Sequence, residues 1–104
     1  MSLQNLCLRL PFELHKEMKK QAKAEGVTAS ALYAQALTHF LDHEIARWPY
    51  LFTGQGSTTA TLYIDETLVT RVREAADRYD HHISDIATSA LVMHLGKHPF
   101  AQAA

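Results

Sequence analysis

Sliding the sequence along itself by 54 positions brings its two halves into register without a gap. Leu8, Leu10, Leu14, Met18, Ala22, Ser30, Leu32, Ala36, Leu37 and Leu41 fall on Leu62, Ile64, Leu68, Val72, Ala76, Ser84, Ile86, Ala90, Leu91 and Leu95. An internal repeat of this kind means one supersecondary unit used twice, each copy needing the other to bury its apolar face. At about 45 residues a copy is too short for an independent core. The whole chain of 104 residues fits one compact domain.

Each copy begins with strict alternation, Asn5-Leu6-Cys7-Leu8-Arg9-Leu10 and Thr59-Ala60-Thr61-Leu62-Tyr63-Ile64. Period two predicts a short strand with one buried face, Leu6, Leu8 and Leu10 or Ala60, Leu62 and Ile64. The opposite face carries Asn5, Cys7 and Arg9, or Thr59, Thr61 and Tyr63.

The period then becomes helical. Pro11 suits a first turn, where its missing N–H is not needed, and Asp65 is expected to cap its counterpart. Leu14, Met18 and Ala22, and Leu68, Val72, Ala76 and Tyr79, recur at helical spacing. Gly26 is expected to end the first helix in the left-handed conformation, with Asp80 doing so less readily in the second copy. A second helix follows in each copy, capped well by Thr28 and less well by His82. Its apolar face is wide: Leu32, Tyr33, Ala36, Leu37, Phe40 and Leu41, or Ile86, Ala87, Ala90, Leu91 and Leu95. Faces that wide belong to central, mostly buried helices. The expected division is a first copy over 3–46, a connector over 47–58, a second copy over 59–98 and a tail over 99–104. The connector joins an apolar stretch, Trp48 to Phe52, to the Gly/Ser stretch Thr53 to Thr58.

A single short strand cannot satisfy its own backbone groups, so the two strands are expected to pair antiparallel. Their apolar faces would cover four helices and mimic a symmetric dimer within one chain. The outer face then gathers Asn5, Cys7, Arg9, Thr59, Thr61 and Tyr63 in one patch. A two-stranded ribbon has the width of the DNA major groove.

The alternating strand, Pro11, the amphipathic helix, the turn Gly26-Val27-Thr28-Ala29-Ser30-Ala31-Leu32 and the second helix together resemble the ribbon-helix-helix (Arc/MetJ-like) superfamily. The likeness spans about 85 residues and is to the tandem, single-chain form, a pseudo-dimer that is mainly α with a short antiparallel β-ribbon. The resemblance implies a sequence-specific, repressor-like transcriptional regulator whose partner is double-stranded DNA. By it, Asn5, Cys7, Arg9, Thr59, Thr61 and Tyr63 would read base edges, Arg9 by a bidentate contact to guanine. Thr28, Ser30 and Ser84 would donate to phosphates at the starts of the second helices. It also implies an alternative: a protein-interaction module, antitoxin-like or a conjugation accessory factor, with a partner such as a toxin.

Charge tempers the DNA reading. The net formal charge is −1. The first copy has five Lys/Arg against five Asp/Glu and the second four against six, so the first is expected to dominate phosphate attraction. Asp85 is expected to lie near a phosphate on the second side. His39 and His43, and His94 and His98, stand four apart on helices, a spacing that can ligate a metal. No thiol or carboxylate completes a diagnostic set, so a helix-end role is preferred and no metal or other cofactor is expected. The adjacent His81 and His82 read as a polar turn that can protonate near a phosphate.

Cys7 is the single cysteine, and no phosphate loop, nucleophile elbow or carboxylate pair points to an enzyme. Trp48, Tyr50 and Phe52 are candidates for self-association. With no membrane-length apolar run and no basic leader, the expected setting is cytoplasmic.

Overall fold

The computed structural model describes residues 2–47 and 58–96. In chain order they form β1 (Leu3–Leu10), α1 (Phe12–Glu25), α2 (Ala29–His39), β2 (Thr58–Asp65), α3 (Glu66–Arg78) and α4 (Ile83–Leu95). The protein is mainly helical, with one two-stranded antiparallel sheet.

Alternation drives the strands. Leu6, Leu8, Leu10, Ala60, Leu62 and Ile64 are each 2% exposed or less, and every residue between them is exposed. Both strands run to eight residues, two more than the alternating core of each predicts. Pairing sets Asn5 opposite Tyr63, Cys7 opposite Thr61 and Arg9 opposite Thr59. Cys7 therefore faces the residue one repeat length further on. Exchanging the copies maps the Arg9–Thr59 pair onto Tyr63–Asn5, the register that a local two-fold axis through Cys7–Thr61 produces.

Beneath the sheet the copies interlock. α2 packs on β2 and α3, α4 packs on β1 and α1, and α2 and α4 pack on each other. Each second helix thus closes over the strand and first helix of the other copy. α4 is buried without a break from Asp85 to Val92, as its wide apolar face requires. Met18, Ala22, Val72 and Ala76 complete the core from the first helices.

Helix ends follow local chemistry. Gly26 ends α1 at φ 71°, and Asp80, its repeat match, takes φ 56° after α3. Thr28 Oγ1 accepts the Ala31 N–H at 3.1 Å. At α4 the His82 N–H instead donates to Asp85 Oδ2, also at 3.1 Å.

Four expectations need correction. Tyr79 does not join the core: it stands at the C-terminal end of α3 and is 37% exposed. Asp65 occupies the N-cap position without a side-chain cap bond, and Glu66 N–H donates instead to the Ser2 carbonyl at 2.9 Å. Pro11 likewise sits at the N-cap, one residue ahead of α1. The second helix of the first copy widens into a π turn (Phe40–Glu44) and tightens into a 3-10 turn (Ile45–Arg47). Among the described residues no helix is long and apolar enough to cross a membrane.

Candidate nucleic-acid interface

The outer face of the sheet presents Asn5, Cys7, Arg9, Thr59, Thr61 and Tyr63, all exposed. The side-chain period of a strand puts them on one side, and the register arranges them as three cross-strand rows. The middle row is Cys7 and Thr61, with Sγ and Oγ1 3.6 Å apart. The outer rows are Arg9 with Thr59 and Asn5 with Tyr63. Arg9 is the one charged side chain of the six. Next to Leu3, Gln4 and Asn5 a shallow surface recess is completed by Thr70 and Arg73 of α3.

The starts of α2 and α4 flank this platform, and the tie is a pair of matched hydrogen bonds. The Arg9 N–H donates to Ser84 Oγ at 3.0 Å, and the Tyr63 N–H donates to Ser30 Oγ at 3.1 Å. Arg9 and Tyr63 are repeat matches, as are Ser30 and Ser84. Each serine therefore clasps the strand of the other copy. The hydroxyl accepts from the strand, and a hydroxyl that accepts still has one proton of its own to donate. Thr28 Oγ1 is likewise an acceptor at the start of α2, with its proton left over. The three hydroxyls singled out from the sequence thus lie at the two ends of the ribbon, one end made by Arg9 with α4 and the other by Tyr63 with α2. Neither end belongs to one copy. Charge counted copy by copy consequently does not describe either end.

Sequence reasoning underrated Asp85. It is 6% exposed and its Oδ2 lies 3.2 Å from His81 Nδ1 as well as accepting from the His82 N–H. Its carboxylate is thus engaged by the turn that opens α4. A carboxylate three residues past an N-cap is a recognised capping signal, and that spacing from His82 to Asp85 is visible in the sequence. Arg73 and Gln4 carried no such signal.

The remaining candidates lie away from the platform. The His39 and His43 rings lie 4.9 Å apart between centroids and are tilted by 48°, with His39 Nε2 3.8 Å from Glu44 Oε1. His94 Nε2 lies 2.7 Å from Gln21 Oε1, tying α4 to α1. Among the described residues no three His, Cys, Asp or Glu side chains are grouped to hold a metal ion. His98, the aromatic residues Trp48, Tyr50 and Phe52, and the tail fall outside the described residues. No family model, curated protein or solved structure matches the chain.

Proposed function

We propose that the chain is a tandem ribbon-helix-helix protein, a pseudo-dimer in one polypeptide, that binds double-stranded DNA sequence-specifically as a repressor-like regulator. The observation carrying this reading is the exposed platform of three cross-strand rows, centred on Cys7–Thr61 and flanked at both ends by a helix start. A two-stranded ribbon fits the major groove, where each base pair offers a distinct pattern of donors and acceptors. Arg9 would take guanine O6 and N7, Asn5 adenine N6 and N7, and Thr59 and Thr61 hydrogen bonds or thymine methyl contacts. Cys7 and Tyr63 would supply the remaining contacts along the ribbon. Thr28, Ser30 and Ser84, with the amides at the starts of α2 and α4, would fix the register against phosphates. Occupancy is the whole mechanism; the protein blocks access to an operator.

The two ends of the ribbon are not chemically alike. A homodimer presents identical ends and reads a palindrome, whereas here Arg9–Thr59 at one end answers to Asn5–Tyr63 at the other. The recognised site is therefore expected to be asymmetric.

Selection of bound duplexes from a random pool, followed by sequencing, tests this reading. One enriched, non-palindromic sequence is expected. Arg9→Ala should relax the preference at one position at a cost of about 1–3 kcal/mol, while Lys23→Ala at most weakens binding evenly across sequences. A second reading, a protein-interaction module of the antitoxin or conjugation-accessory kind, draws on the single cation of the platform and the net charge of −1. A pool that yields no enriched sequence at low salt would favour it.

A further inference from the structure

The two ends of the ribbon differ in what can gain a proton. At the α4 end an open recess of about 530 Å³ is lined by Arg9, Ala76, His81, His82, Ile83, Ser84 and Asp85. The positions matched to His81, His82 and Asp85 at the other end are Val27, Thr28 and Ala31, none of them ionisable. There the start of α2 is capped by a neutral hydroxyl, Thr28 Oγ1. Here the start of α4 holds a buried carboxylate, with one imidazole 3.2 Å from it and a second, exposed one beside it.

β1 contributes Arg9, α4 contributes Asp85, and α3 contributes only Ala76 to the lining. Asp77 and Arg78 at the end of α3, and Asp80 in the turn, are exposed outside the recess. With neutral imidazoles the recess carries one cation against one carboxylate. With both protonated it carries three cations against one carboxylate, and His81 neutralises Asp85 directly.

We propose that His81 and His82 are a proton-operated gate on DNA binding at the α4 end of the ribbon. In the neutral state Asp85 cancels Arg9 and the recess offers a phosphate no net attraction. In the protonated state the recess becomes cationic, beside the Ser84 hydroxyl, and grips the phosphate that flanks the Arg9 half of the site. Phosphate favours the protonated imidazoles, so the complex takes up protons and affinity rises as pH falls through the imidazole range, about pH 8 to 5. The gate rests on the DNA reading proposed above.

The experiment is binding of the intact chain, by fluorescence anisotropy, to a labelled duplex carrying the selected sequence, at about pH 8 and about pH 5.5. Wild type is expected to bind about tenfold more tightly at the lower pH, one added charge-assisted contact, with a salt slope steeper by about 1. A His81→Gln/His82→Gln variant should lose that gain, read as the ratio of its own affinities at the two pH values. A His39→Gln/His43→Gln variant, altered away from the platform, should keep it. Equal gains in all three proteins would mean a general charge effect and overturn the gate, and so would no gain in any of them. Either result would leave DNA binding standing. Absence of duplex binding at both pH values would remove the DNA reading and the gate together. Imidazole NMR titration of the wild type, free and with the duplex, gives a readout independent of the variants. The titration midpoints of His81 and His82 should move up on binding, and unmoved midpoints would overturn the proposal.

Discussion

Tyr33 has no exposed surface, yet its hydroxyl has a partner, His15 Nδ1 at 2.7 Å. Burial pushes the Tyr33 phenol above its ordinary range. Desolvation, and to a lesser degree the positive charge of Lys19, holds the His15 imidazole below its ordinary value of 6.5. The unfolded chain therefore takes up a proton at this residue before the folded one does. The resulting stability is complete well above pH 6.5, is lost as pH falls through 6.5 towards the folded value, and levels off below it. Melting temperature between about pH 7.5 and 5 should accordingly fall more steeply for wild type than for His15→Gln. Parallel curves would mean that His15 is not held neutral in the fold. The pair was not legible in the sequence. His15 and Tyr33 lie on different helices, and only packing decides that the phenol of an apolar face needs a partner.

The elements themselves were largely legible. Two periodicities, two for Leu6 to Leu10 and helical for Leu68 to Ala76, account for the strands and the core faces because burial on one side leaves a repeating mark. Two irregularities leave no such mark. The π turn at Phe40–Glu44 inserts extra backbone without disturbing the apolar spacing, and Tyr79 keeps a helical spacing beyond the point where the helix has ended. The candidate site was legible in part for the same reason. The outward rows follow from alternation, but the serine clasps depend on which strand each helix start meets. These clasps have a measurable consequence. Ser30→Ala and Ser84→Ala should each cost about 1 kcal/mol in urea denaturation. Hydrogen exchange should accelerate locally, at the Tyr63 amide for the first and at the Arg9 amide for the second. Uniform acceleration across the sheet would mean that the serines support the fold only globally.

For the molecule as a whole, the repeat and the register answer one another. α2 lies over β2 and α3, and α4 lies over β1 and α1, so neither half owns a complete core. Residues 1–47 and 58–104 expressed separately should each lack cooperative unfolding, and mixing them should restore helical signal and a melting transition. A half that melts cooperatively alone as a monomer would contradict the interlocked core. The same interlock makes each end of the ribbon from both halves, so the acidic second copy does not by itself weigh against the proposed role of the outer face.

The most direct measurement is methylation interference on the selected duplex. Guanine N7 lies in the major groove and adenine N3 in the minor groove. If the ribbon enters the major groove with Arg9 on a guanine, N7 methylation at that guanine should weaken binding by about the 1–3 kcal/mol of that contact, and Arg9→Ala should remove the sensitivity. Binding that tolerates N7 methylation throughout the site, or that is blocked only by methylation at adenine N3, would contradict the account.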